Sequence, residues 1–531
     1  MPFNKESLAA TSIASNRLFD ELPTELLVDI FSLASGTIRK LYYPPNLDSD
    51  MPWVLGRVCS RWRQISRSEP CLWGKFVCVR QESSLTGKVT PRFGLTPTIL
   101  PEHVFFRFIF ITRGNTLTDG VRLAITALCE HRFLRRIQSL DLHITIETYN
   151  EMWRLVRPED FELLQTLKLF VQDREEYREP QLVIDEAFEV HQWWKDSSPF
   201  CSAFNLRKLK IGASASWIAT YLSAQFPWNQ ITILRCHHIQ GDTAEKLDLL
   251  QKCSSLQAIE MSFDRDATTT EITGDFKLSQ HLRYFVIHDS FPLALVHALT
   301  TSRVWDHILT LALYNCDLPD NHDLYTILKK CPLLTNLYLH QDASPPTQNI
   351  YDQLFLPRLS RIHTSDNVAS WLFARLLVPA LEHLCIYDGT RCFTAARDMV
   401  VTSRCVITSF ILSSLGEGHV DGMLELLEAT PGLTSLHITA ILPLKVVDGI
   451  TCGTALPHLT SLVCFMDLPR QVKDMVKGRL EWEVTTRGRV DLRDICAVVR
   501  PAEQPDWDTV MAELNRLEET YDGVSLRMSF T

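Results

Sequence analysis

The feature that most constrains this chain is a spacing. From residue 206 onward, one apolar residue, two variable ones, an apolar residue, one variable residue and another apolar residue recur at nearly fixed intervals. The copies begin with Leu206-Leu209-Ile211, Ile231-Leu234-Cys236, Leu256-Ile259-Met261 and Leu282-Phe285-Ile287. They continue as Ile308-Leu311-Leu313, Leu334-Leu337-Leu339, Leu359-Ile362-Thr364 and Leu381-Leu384-Ile386. The last clear copies are Ile407-Phe410-Leu412, Leu433-Leu436-Ile438 and Leu459-Leu462-Cys464. Successive starts lie 25, 25, 26, 26, 26, 25, 22, 26, 26 and 26 residues apart. Chance does not hold such a period over so long a stretch.

A period in the twenties with L-x-x-L-x-L is the leucine-rich repeat signature. The three apolar positions place a short strand's inward side chains in a core. Stretches such as 247–256, 324–334 and 423–433 read as helices ahead of the next strand. Helices need more room than strands, so the expected fold class is α/β: a curved solenoid with a parallel sheet on its concave side. No unit buries its apolar face alone, and stacking supplies the core. The asparagine that regular repeats carry after the strand is mostly absent, Asn315 being its clearest counterpart. Ile137-Leu140-Leu142 and Leu164-Leu167-Leu169 extend the array upstream. The gap from 164 to 206 predicts an insertion near 172–200, either an acidic excursion or a repeat without the strand pattern. Past Cys464 the period fades, and helices are expected over Arg470–Gly478 and Trp507–Tyr521 as a cap.

At 531 residues the chain exceeds one ordinary core, which agrees with an array growing in one dimension. A formal charge of -10 argues against a nucleic-acid partner, which calls for a basic face. Fifteen cysteines, an odd number with no C-x-x-C, fit a reducing compartment. The first twenty residues lack the apolar run of a signal peptide, and Val104–Ile111 is far short of a membrane span. The expectation is a cytoplasmic or nuclear protein with no membrane partner.

The N-terminal region has a different period. Leu22, Leu26, Leu27, Ile30, Phe31 and Leu33 recur at helical spacing after Pro23, with Glu25 in the first turn. A second stretch puts Val54, Leu55, Val58, Trp62 and Ile65 on one face, before Pro70 and the apolar plugs Leu72 and Trp73.

The order L-P-x-E-L-L-x-x-I-F, V-C-S-R-W-R-x-I and P-x-L-W resembles the F-box, in particular that of fungal F-box-like proteins with C-terminal leucine-rich repeats. The resemblance covers about a tenth of the chain. It implies a small all-helical module that docks on a Skp1-like adaptor and through it on a cullin–RING ubiquitin ligase. Leu22, Pro23, Leu26, Leu27, Ile30 and Phe31 would meet the adaptor. Val58, Trp62, Ile65, Leu72 and Trp73 would hold the module together. The segment between Leu33 and Val54 is longer than in a compact F-box and reads as a loop inserted between the helices. The irregular repeats also resemble those of leucine-rich F-box proteins rather than of extracellular receptors.

The expected division is a flexible N-terminus (1–17), an F-box-like domain (18–78) and a linker with a cap or degenerate repeat (79–134). The solenoid (135–465) and a C-terminal cap (466–531) follow. No phosphate loop, nucleophile elbow or H-E-x-x-H occurs, so neither a catalytic site nor a cofactor is expected. Adjacent His237-His238 tempts as a metal site, but neighbours on a strand point to opposite faces, and no metal is expected. The variable positions beside the apolar triads form the candidate client surface. They include Arg283, Tyr284, His288, Tyr314 and Tyr338, then His340, His363, His383, Tyr387 and His437, with scattered surface aromatics as the alternative. The functional expectation is a ubiquitin-ligase substrate receptor with an unidentified protein client. Its rivals are a scaffold that promotes no ubiquitination and an enzyme with an unrecognised site.

Overall fold

Short strands that recur with their apolar residues in the same phase share a core when they run parallel, each return segment bringing the chain back to the same edge. The structure, a computed structural model, has this arrangement. It describes residues 22–35, 40–42, 58–68, 75–79, 106–111, 133–145, 156, 158–172, 200–213, 226–237, 243–263, 278–290, 295, 303–316, 321–340, 352–387, 391–415, 419–466, 469–487, 490–499, 507–521 and 523–530. The fold is mixed α/β, and the chain divides into two compact units between Leu256 and Gln257.

The first unit holds strands β1 (Lys40–Tyr42), β2 (Lys75–Val79), β3 (Phe106–Ile111) and β4 (Ile137–Thr145). β5 (Thr166–Gln172), β6 (Lys208–Ala213) and β7 (Ile233–His237) follow. Each pairs parallel with the next in sequence. Its helices include α1 (Thr24–Ser35), α2 (Ser60–Ser68) and α3 (Thr243–Lys252).

The second unit runs through β8 (Ala258–Ser262), β9 (Tyr284–His288), β10 (Thr310–Tyr314), α4 (Asn321–Lys329) and β11 (Asn336–His340). Next come β12 (Leu354–Phe355), β13 (Arg361–Ser365), α5 (Asp366–Phe373), β14 (Leu376–Leu377) and β15 (His383–Tyr387). α6 (Phe393–Ser403), β16 (Ser409–Leu412), α7 (Val420–Glu428), β17 (Ser435–Ile441), α8 (Leu444–Thr451) and β18 (Ser461–Met466) continue it. It ends with α9 (Pro469–Arg487), β19 (Asp494–Val499), α10 (Trp507–Thr520) and β20 (Ser525–Phe530). Leaving aside β12 and β14, which form their own two-stranded sheet, each strand is parallel to the next.

All the side chains of the eleven triads are buried, none more than 2% exposed. Two further regularities fix each turn. Three residues ahead of the first triad residue, in ten of the eleven copies, sits a buried residue of varied chemistry; ahead of Ile407 that place is taken by the exposed Arg404. The buried residue's carbonyl accepts the N–H of the first triad residue, as from Ile308 to Trp305, Leu334 to Cys331 and Leu433 to Thr430. A single carbonyl at most of these strand entries then receives two N–H groups from the following segment: Leu309 from Thr335 and Asn336, Thr408 from Thr434 and Ser435. A hydroxyl often adds a third donor. Thr335, Thr434 and Thr460 reach the carbonyls of Leu309, Thr408 and Thr434 at 2.9, 3.0 and 3.0 Å. Buried backbone groups are thereby paired coil by coil.

Each unit has strands beyond the expected limits of the repeats. The 18–78 segment, expected to be all-helical, contributes β1 and β2, and part of the expected inserted loop is therefore a strand. The Lys75–Val79 sequence KFVCV is rich in β-favouring residues, which explains the state it adopts. In the second unit, β19 and β20 continue the sheet where only a cap was expected. Leu492-Ile495-Ala497 repeats the apolar spacing, displaced by the 19-residue helix α9. The predicted helices are present as α9 and α10. Most of the expected insertion, residues 173–199, lies outside the described residues, as do 80–101.

Candidate functional site

Two surfaces bear on the expected chemistry. The first is the pair α1 and α2. Phe31 packs against Trp62 with ring centroids 4.6 Å apart, and Leu27, Phe31 and Ile65 are buried. The Arg61 guanidinium donates to the Leu22 carbonyl, tying the second helix to the start of the first. With that face of α1 occupied, helical geometry turns the next residues outward. Pro23 is exposed, and Leu26 and Ile30 are 48% and 39% exposed.

The six expected adaptor contacts thus separate. Pro23, Leu26 and Ile30 are surface residues and Leu22 is half-buried, whereas Leu27 and Phe31 belong to the interior. The correction follows from the period: positions one apart on a helix cannot share a narrow face. Of the expected module core, Ile65 is buried and Trp62 half-buried. Val58 is instead 57% exposed. Leu72 and Trp73 lie outside the described residues.

The second surface is the outward side of the second unit's sheet, made by residues alternating with the buried triads. His288 stacks on Tyr314 at 4.9 Å, and Tyr338 on His363 at 4.6 Å. His340 meets Tyr387 edge-on at 5.4 Å. The Glu260 carboxylate lies 3.5 Å from His288 Nε2. Burial, helped by Cys385, raises the Tyr387 phenol to about 12, so it remains a neutral donor. Burial and then Arg361 and His383 hold the His363 imidazole below its ordinary range.

Other expected members sit at the margin. Tyr284 is 49% exposed at its strand's start, and Arg283 is turned back to the carbonyls of Gln280 and Leu282. His437 is registered between Ile411 and Val463, away from the ring pairs. His383 is half-buried, with Nε2 4.0 Å from a Glu382 oxygen.

Sequence reasoning missed Arg361, an exposed residue registered between Asn336 and His383. Its offset from Leu359 equals that of His383 from Leu381, so the same positional rule finds it. Asn315 also differs from expectation. It is exposed with a φ of 53°, a left-handed conformation that asparagine tolerates, and its Oδ1 lies 3.0 Å from His340 Nδ1. The next residue, Cys316, is buried instead, its thiol 3.5 Å from the Ile287 carbonyl.

Among the described residues no helix is long and apolar enough to cross a membrane. Neither a scan against protein-family models nor a search of the curated proteins returns a match to this chain.

Proposed function

We propose that this chain is a substrate-receptor subunit of a Skp1–cullin–F-box type ubiquitin ligase. Its N-terminal helices dock on a Skp1-like adaptor, and its repeats hold a protein client. The observation that carries the reading is the division of α1 into two faces. Leu27 and Phe31 are buried, while Leu26 and Ile30 remain exposed beside Pro23. A small helical pair gains from covering such a stripe with a partner.

The coils of 135–465 are read as leucine-rich repeats arranged as a curved solenoid. The triad burial supports this, and so does Cys316, which occupies the place that the repeat pattern gives to asparagine or cysteine. In this account the chain forms no covalent intermediate. It contributes proximity and orientation while the associated ligase performs the transfer. The cytoplasm or nucleus is its proposed setting.

Co-expression of the full chain with Skp1 and a cullin tests the reading. Joint recovery of both, together with ubiquitinated client, is expected. Recovery of Skp1 without cullin or modified client would move the protein to a non-catalytic scaffold, and failure to recover Skp1 would remove the receptor reading.

A further inference from the structure

We propose that the outward sheet face around Arg361 receives an anionic group, a carboxylate or phosphoryl, carried by the client protein. The inference rests on the reading of the repeats as the client-binding part and adds the chemistry recognised there.

The sheet register assembles the site. Asn336, Arg361, His383 and Ser409 form one lateral row over β11, β13, β15 and β16, without a carboxylate among them. His363 lies two residues beyond Arg361 on the same face and is registered with Tyr338 and Cys385. Arg361 is exposed, and His363 and His383 are half-buried. Three groups able to carry positive charge therefore converge on one patch. Burial first, and then Arg361 and His383, keep the His363 imidazole below its ordinary range, and a bound anion would offset the contribution of those charges. Among the described residues, the carboxylate paired with His383 is Glu382, at 4.0 Å and 62% exposed. A separation so long, in contact with water, leaves it a weak competitor.

Ring orientation separates this proposal from its opposite, an aromatic site for a cation. A cation is drawn to an open ring face. Here Tyr338 and His363 stack across neighbouring strands with planes 29° apart, so each ring has one face covered by the other. Side chains stand roughly perpendicular to a sheet, so the polar ends of rings on a strand lie toward its outer side. Those polar ends, the Arg361 guanidinium and the Ser409 hydroxyl suit an oxygen acceptor. A guanidinium also binds carboxylate or phosphate in a two-pronged geometry.

Fluorescence anisotropy on the full chain provides the test. The probes are fluorescein-labelled degenerate peptide pools with a fixed central Glu, phosphoserine, Gln or Lys. The Glu or phosphoserine pool is expected to bind about tenfold more tightly than the Gln and Lys pools. The ratio between those two pools identifies the carboxylate or phosphoryl source. Arg361→Ala should abolish the preference, and Arg361→Glu should shift it toward Lys. Leu26→Asp with Ile30→Asp should leave it unchanged even where Skp1 binding is lost, which separates failure of this site from failure of the ligase reading. Equal binding of all pools, no binding of any, a Lys preference in the native chain, or an unchanged preference in Arg361→Ala would overturn the proposal.

Discussion

Arg479 and Glu483 stand one turn apart on α9 and meet at 2.7 Å, with neither side chain exposed. The guanidinium also donates to the carbonyls of Leu456 and Pro457, both at 3.0 Å. The second Glu483 oxygen accepts the N–H groups of Asp491 and Leu492 at 2.7 and 3.1 Å. One ion pair thus satisfies the backbone on either side of α9.

Arg479→Met or Glu483→Leu should each destabilise the chain by about 3–5 kcal/mol, because each strands a buried charge. A buried pair replaced on both sides by apolar residues is often harmless. Here the double change should remain costly by roughly 2 kcal/mol or more, since the backbone groups lose their partners too. Urea denaturation of the two single variants and the double variant measures this.

Gly453 has a φ of 68°, and a Cβ there would lie 2.2 Å from the Trp482 ring. Gly523 has a φ of 81° with nothing within 4 Å. Gly523→Ala should therefore cost only the backbone strain, about 1–2 kcal/mol. Gly453→Ala adds overpacking of about 1–3 kcal/mol. Thermal melts of the two variants should rank them in that order.

The hydroxyl ladder contributes in small equal steps. Thr434→Val removes the bond to the Thr408 carbonyl and should cost about 0.5–1.5 kcal/mol, while Thr434→Ser should cost less. Chemical denaturation of both variants separates the hydroxyl from the methyl.

Acid should weaken the second unit through His363. Its folded imidazole titrates below the ordinary value of 6.5, chiefly through burial and next through Arg361 and His383. Between the folded and unfolded values the unfolded chain binds more protons, so stability falls as pH drops below about 6.5 and levels off once the folded value is passed. In melts recorded at falling pH, His363→Gln should show a smaller loss than the native chain.

How much of this was legible depended on chemistry as much as on position. The triads were readable because a core accepts few residue types, and Leu311 and Leu313 announce themselves wherever they recur. The buried residue three places earlier was not, because Trp305, Cys331, Leu356 and Thr430 share a turn carbonyl and not a side-chain type. β19 was hidden by the length of α9, which breaks the period without breaking the sheet. On α1 the apolar pattern gave the helix, while the choice of buried face needed the Phe31–Trp62 contact. Arg361 was not legible because a lone arginine at a variable strand position reads as a solvated charge, and its row with Asn336 and His383 exists only in the register of the sheet.

The central claim is that the outer stripe of α1 docks on Skp1, and titration calorimetry of purified Skp1 into the full chain tests it most directly. The native chain should bind. Leu26→Asp with Ile30→Asp should weaken binding by about 100-fold or more with an unchanged circular dichroism spectrum, as expected when two central apolar contacts are lost. Arg361→Ala should bind Skp1 as the native chain does. No heat of binding from the native chain, or equal affinity for the doubly substituted one, would contradict the account.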